Sequence, residues 1–286
     1  MPDFFAAPYQ IVVPQLKKRT RVLHITDAHF CRADDDGNEE HNAICRTRHA
    51  RWQERENQEA NTSRLLQDVK ESGSDLLWLT GDIVDFPARA SLQRVRELLD
   101  NCGVPWLYVP GNHDWYFPYQ QSNEALRRAQ YEKLAPLFNG GPQLCWKHEI
   151  NGLQILGVDN STYQIEGEQL QFAREALQTG LPTVLLVHVP LTQPGLRAPT
   201  IAKWRDCILV GEHITEERRA DWAWAPDRPE TAQFIELMQS APNLIAILCG
   251  HVHFAHEEAF GSAVQLVGAP AFAGGSRIID FTCEPE

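Results

Sequence analysis

Five short polar blocks carry the residue types that bind cations: Asp27-Ala28-His29, Gly81-Asp82-Ile83-Val84-Asp85, Gly111-Asn112-His113-Asp114, His188 and Gly250-His251-Val252-His253. Carboxylate, imidazole and amide oxygen together suit Mn, Fe or Zn, and the lack of thiolates among them disfavours a purely structural zinc site. Seven potential ligands are too many for one ion that must keep an open position. They suit two ions sharing a bridge, typically ~3.5–4 Å apart, which is the equipment of metal-assisted hydrolysis. Residues i and i+2 of an extended segment point to one side, so Asp27 with His29, and His251 with His253, are expected to face a common cation. Glycine before Asp82, Asn112 and His251 permits a sharp turn and close backbone approach to an ion. Asp85 is expected to hydrogen-bond a ligand histidine or the Asp82 loop and not to coordinate.

Something must hold these blocks together, and each follows a short apolar run. Residues 21–26 (RVLHIT), 75–80 (DLLWLT), 105–110 (PWLYVP), 183–187 (TVLLV) and 244–249 (LIAILC) read as strands buried on both faces. Open α/β sheets place their ligands at the carboxyl ends of strands, where all five blocks fall. Helices are expected over 63–71, 90–102, 169–177 and 230–239, so strand and helix alternate as in a layered α/β domain. Short strands at 257–260, 263–267 and 277–281 are expected to be antiparallel pieces completing a second sheet.

Two regions read as insertions that shape a substrate pocket, residues 31–60 and 191–228. In the first, Asp34 to Asp36 lack the spacing of a calcium loop and read as a polar turn. Arg46, Arg48, Arg51 and Arg55 interleave with glutamates and are expected on a solvated, salt-bridged helix. In the second, Trp222 and Trp224 are expected to pack the insertion and not to stack a base. His24 is expected to be a hydrogen-bonded core residue, and His41, His49, His148, His213 and His256 to lie outside the cation site.

The chain has 286 residues with a net charge of −12, and its 43% hydrophobic and 22% charged residues exclude disorder and fibrous repeats. No apolar run approaches the ~20 residues of a membrane span. Residues 1–14 lack a basic segment followed by an apolar one, so a soluble, cytoplasmic protein without a membrane partner is expected. The acid excess argues against nucleic acid as a partner. Seven scattered cysteines without a C-x-x-C pair fit reduced thiols.

The five blocks, in order from residue 27 to residue 253, resemble the calcineurin-like metallophosphoesterase superfamily, whose pattern is D-x-H, G-D-x-x-D, G-N-H-D/E, H, G-H-x-H. The spelling is similar to its cyclic-nucleotide phosphodiesterase-like branch. The resemblance implies one domain over residues 1–286, a four-layer α/β/β/α double β-sandwich of mixed sheets flanked by helices. It implies one metal on Asp27, His29, Asp82 and His253, and a second on Asp82, Asn112, His188 and His251, with Asp82 bridging. It implies His113 as general acid, with Asp114 orienting it. The implied reaction is hydrolysis of a small-molecule phosphate ester, most readily a phosphodiester, by in-line attack of a metal-activated hydroxide. A phosphomonoesterase, a nuclease of the same superfamily and a non-catalytic scaffold are the alternatives. The chain departs from the pattern at Phe30, which follows His29 where members often have glycine, and this bears on the shape of the pocket.

Overall fold

The computed structural model describes residues 7–33, 38–120, 122–138, 141–221 and 224–283, so Asp34 to Asp36 and Trp222 lie outside the described residues. In chain order the strands are β1 Tyr9–Val12, β2 Thr20–Ile25, β3 Leu76–Thr80, β4 Trp106–Val109, β5 Cys145–Ile150, β6 Leu153–Val158, β7 Thr183–Leu186, β8 Leu244–Cys249, β9 His256–Phe260, β10 Ala263–Val267 and β11 Arg277–Thr282. The helices are α1 Glu39–Glu56, α2 Gln58–Gln67, α3 Arg89–Asn101, α4 Glu124–Phe138, α5 Gly167–Leu177, α6 Pro194–Trp204, α7 Glu216–Asp221 and α8 Pro229–Ser240.

Two mixed sheets form, in the orders β1-β11-β2-β3-β4 and β5-β6-β7-β8-β10-β9. Three apolar layers explain why the central strands are apolar on both faces. Between the sheets, Val22, Trp78 and Phe281 of the first meet Ile155, Leu186 and Leu248 of the second. Outside the first sheet, Leu77 and Leu79 are covered by Leu65, Val95 and Leu134 of α2, α3 and α4. Outside the second, Leu156, Leu185 and Ile247 are covered by Leu170 and Ala173 of α5 and Phe234 of α8. The result is the expected α/β/β/α sandwich of mixed sheets flanked by helices. Strands β2, β3 and β4 are mutually parallel, as are β7 and β8, so each set delivers its following loops to one edge.

Three expectations need correction. Strand β11 does not complete the second sheet: it inserts between β1 and β2 of the first, antiparallel to β2. Asp280 on β11 meets the guanidinium of Arg21 on β2 through two contacts of 2.8 Å, while Phe281 fills the layer between the sheets. Strand β10 is antiparallel to β9 but parallel to β8. Helix α2 starts at Gln58, ahead of the expected Ser63, and ends at Gln67. The cause is tertiary, because buried Gln58 donates to the carbonyls of Ala28 and His29, tying the helix start to the first polar block.

Candidate metal centre

The five blocks converge where the two sheets meet. Parallel β2, β3 and β4 release Asp27, Asp82 and Asn112 from the first sheet, and β7 and β8 release His188 and His251 from the second. Backbone hydrogen bonds knit the loops: the amides of Asp27 and His29 donate to the carbonyls of Gly81 and Asp82 at 3.0 and 2.8 Å. The amide of His251 donates to the carboxylate of Asp27 at 3.0 Å, joining the sheets at the site itself.

Asp27 and His29 share a donor group as expected, whereas His251 and His253, expected to face a common cation, fall in separate groups, and the backbone differs from the expectation in both pairs. These residues are not extended: φ is 53° and 49° for the first pair and 69° and 56° for the second, with Asp82 at 51°. Left-handed backbone at non-glycine residues costs of order 1–3 kcal/mol each and persists only where the surroundings over-determine it. Among the preceding glycines, Gly81 has φ +82°, which a side chain would strain. Gly111 and Gly250 serve by size, since a Cβ there would overlap the carboxylates of Asp82 and Asp27 respectively.

Two donor groups share Asp82. Asp27, His29, Asp82 and His253 form one, and Asp82, His188 and His251 the other. His253 Nε2 lies 3.2 Å from both Asp27 Oδ1 and His29 Nε2, and His188 Nε2 lies 3.1 Å from an Asp82 oxygen. Ligands ~2.1 Å from a cation stand about 3–3.5 Å from one another, so these spacings match a coordination shell. Asn112 Oδ1 is buried without a hydrogen-bond partner among the described residues, an acceptor left for a cation. The other ring nitrogens are engaged: His29 Nδ1 with Asp85 at 3.1 Å, His188 Nδ1 with the Thr80 carbonyl at 2.7 Å. This leaves Nε2 of both rings for the cluster.

The site's electrostatics attract positive charge. Burial opposes the carboxylate of Asp27, but His253 beside it holds the pKa down at about 2. Burial likewise opposes ionised Asp82, yet His188 and His113 keep it well below the usual range. Burial disfavours a charged His188, and Asp82 overrides it, raising the pKa to about 9. A divalent cation would exploit the same field and displace that proton.

His113 borders the donors, with its ring 4.8 Å from that of His29. Its Nδ1 is 2.8 Å from Asp85 Oδ1. Burial works against the imidazolium, but Asp82 and Asp85 raise its pKa. Asp114 was expected to orient His113, and the structure gives it different work. Its buried carboxylate accepts from the amides of Asp82, Val84 and Gly111 and from the Tyr108 hydroxyl, bracing two loops. The orienting group is Asp85, which also supports His29 as expected.

The centre opens into a cleft of about 1060 Å³. Both insertions reach it, through Arg48, Arg51 and Trp52 of α1 and Lys203 and Trp204 of α6. The arginine series is therefore split. Arg46 pairs with Glu39 on the exposed side, whereas Arg48 Nε lies 3.1 Å from Asp85 Oδ2 and Trp52 Nε1 donates to that oxygen at 3.0 Å. Trp52 was not singled out in the sequence, and the only signal for it was an aromatic on the helical face of Arg48. Phe30 is fully buried in the core against Val84 and does not shape the cleft. Trp224 packs face to face on Tyr163, as expected for an insertion residue. His24 is a core residue bonded to Thr80, while His41, His49, His213 and His256 have partners elsewhere and His148 lies in β5. The cysteines are free thiols and none belongs to the donor groups. No helix among the described residues is long and apolar enough to cross a membrane.

The sequence profile of calcineurin-like phosphoesterases matches residues 20–255, and the chain belongs to that family, which uses a dinuclear metal centre. A probable cyclic nucleotide phosphodiesterase of Synechococcus sp. is 26% identical over 215 residues, covering 72% of this chain and 68% of that protein. A probable cyclic nucleotide phosphodiesterase of Psychrobacter arcticus is 28% identical over 245 residues, covering 82% and 74%. The 3′,5′-cyclic adenosine monophosphate phosphodiesterase of Haemophilus influenzae is 23% identical over 208 residues, covering 69% and 62%. Among solved structures, a dimetal phosphatase from Danio rerio superposes with a TM-score of 0.57 at 11% identity, covering 91% of each chain, a likeness of fold.

Proposed function

We propose that this calcineurin-like phosphoesterase hydrolyses a small-molecule phosphodiester, with cyclic nucleotides the favoured class. The observation that carries the hydrolytic reading is the pair of donor groups sharing Asp82, with His113 at their border and a buried, unpartnered Asn112 Oδ1 in the loop that follows β4 and lines the same cleft. Asp27, His29, Asp82 and His253 would hold one divalent cation, and Asp82, Asn112, His188 and His251 a second. Mn, Fe and Zn all suit this donor chemistry. Two cations held there would supply the Lewis acidity that binds phosphate oxygens, acidifies a water and offsets charge developing on phosphorus.

The chain's own residues do the rest. Arg51 and Lys203 at the cleft wall favour an anionic ester. Asp85 holds His113 through Nδ1, leaving Nε2 for the leaving oxygen. As water oxygen bonds to phosphorus and the ester P–O bond breaks, His113 gives its proton to the departing alkoxide. The attacking water gives up its proton to solvent, and the diester becomes a monoester with a freed hydroxyl, on one molecule for a cyclic nucleotide and on two for an acyclic diester. The diester preference rests on the names of the three relatives. The base would lie against Trp52 and Phe272, whose rings are 4.6 Å apart at the cleft.

Mn²⁺-loaded protein assayed on cyclic nucleotides, dinucleotides, headgroup diesters and monoesters tests this. Diester turnover is expected. Turnover of monoesters alone would overturn the diester reading, and no turnover with Mn²⁺ bound would overturn the hydrolase. His113→Ala should retain metal and lose ~10²–10⁴-fold in kcat on alkyl diesters, with a much smaller loss on a nitrophenyl diester. Equal losses on both would remove His113 from the acid role.

A further inference from the structure

The loop after β6, residues 159–163, lies outside every polar block yet touches the ligands of the second cation position. Asn160 Oδ1 accepts from the amides of His188 and Val189 at 3.1 and 3.0 Å, and its Nδ2 donates to the Val189 carbonyl at 2.7 Å. Three residues on, the Tyr163 hydroxyl is 3.2 Å from His251 Nε2, and the two rings meet edge to face at 75°. Tyr163 is fully buried and has φ 65°, a left-handed backbone at a bulky residue. Such a conformation needs an external hold. The hold is visible: Trp224 stacks on the tyrosine ring at 4.2 Å and 6°, and the Ala225 amide donates to the Thr162 carbonyl at 3.0 Å.

We infer that Tyr163 is a positioning residue for the second cation, accepting the Nε2 proton of His251 so that Nδ1 is the nitrogen presented to the metal. The inference rests on the dinuclear reading above. Its chemical logic is that of the neighbouring ligands. His29 and His188 each spend Nδ1 on a buried oxygen and keep Nε2 for the cluster. His251 does the reverse, since its buried oxygen stands at Nε2. Fixing the second nitrogen sets the tautomer and ring angle of a metal-bound histidine, and loss of such a partner typically costs 10–100-fold in metal affinity or activity. Tyr163 thereby links the 191–228 insertion, through Trp224, to the metal centre.

The test is calorimetric titration of metal-free wild type and Tyr163→Phe with Mn²⁺. The variant keeps the ring and its stack and deletes only the hydroxyl. Wild type is expected to bind two Mn²⁺. Tyr163→Phe should bind one of the two ~10–100-fold less tightly, with the other within ~3-fold and activity recovering at excess Mn²⁺. Fewer than two Mn²⁺ on wild type would overturn the dinuclear reading and this inference with it. Two on each protein with equal affinities would overturn this inference alone, as would a parallel loss at both positions, which marks a merely structural tyrosine. Ring ¹⁵N shifts of wild type loaded with Zn²⁺ give a check that needs no variant. An Nε2-protonated, Nδ1-bound His251 supports the assignment, and the opposite tautomer refutes it.

Discussion

Asp85 receives more donors than any amide could. His29 Nδ1 and His113 Nδ1 meet Oδ1, while Arg48 Nε and Trp52 Nε1 meet Oδ2. Burial opposes its ionisation, and the two histidines still keep its pKa well below the usual range. An asparagine there must turn its own NH₂ towards two donors, whichever way it flips. Asp85→Asn is therefore expected to cost about 2–4 kcal/mol in urea unfolding, the sum of charge-assisted bonds lost and one buried clash of donors. It should also weaken metal binding ~10–100-fold through His29. An unchanged unfolding midpoint with unchanged metal content would refute the shared-acceptor role. Asp85 was legible as a supporting residue because its spacing from Asp82 matched a motif. The loss of Asp114 to loop bracing was not, since nothing local marks which of two acids reaches His113. The donor residues Asp27, His29, His251 and His253 that the structure brings together were legible in type and spacing, but their left-handed backbone was not, nor was the division of His251 and His253 between two donor groups. Tertiary contacts hold that conformation, both between neighbouring loops of the first sheet and across the two sheets.

Elements were legible where their apolar runs are buried on both faces, as in β3 and β8. The β5–β6 hairpin turns at Asn151-Gly152, with φ 52° and 90°, a dipeptide that favours such two-residue turns. Helix α1 was legible only through its arginine series, because it is polar nearly all round, and α4, which carries an internal proline, escaped. The placement of β11 depended on a contact 259 residues apart in sequence, that of Asp280 with Arg21. The Asp280 side chain is 1% exposed and meets Arg19 as well. Burial opposes its charge, and the two guanidinium groups more than compensate, lowering its pKa. A depressed carboxyl stabilises the fold above the unfolded-state pKa of ~3.9 and loses that contribution as pH falls through the folded value. Asp280→Asn should thus cost about 1–3 kcal/mol at pH 7 by urea unfolding. The gap to wild type should shrink towards zero below pH 3 if both still fold there. A gap independent of pH would show that packing of β11, not the ion pair, holds the strand.

At the scale of the whole molecule, the acid excess and the site have separate meanings. The net charge is −12, yet the cleft is lined by Arg48, Arg51, Lys203 and Arg218. Asp27 and Asp82, the acids of the centre, face the candidate cation positions. Those positions take donors from both sheets, Asp27 and Asp82 from the first and His188 and His251 from the second. A bound cation therefore clamps the sandwich across its middle layer, which binding to the unfolded chain cannot do. A ligand that binds only the folded state adds RT ln(1 + [L]/Kd), about 2.7 kcal/mol at a hundredfold excess over Kd. With roughly 2–4 °C of Tm per kcal/mol for a chain near this size, one such cation raises Tm by about 5–10 °C. Calorimetry of protein in EDTA and in saturating Mn²⁺ should show one cooperative transition that shifts as a whole. Two transitions, of which Mn²⁺ moves only one, would mean that the sheets unfold separately and that the centre belongs to one of them.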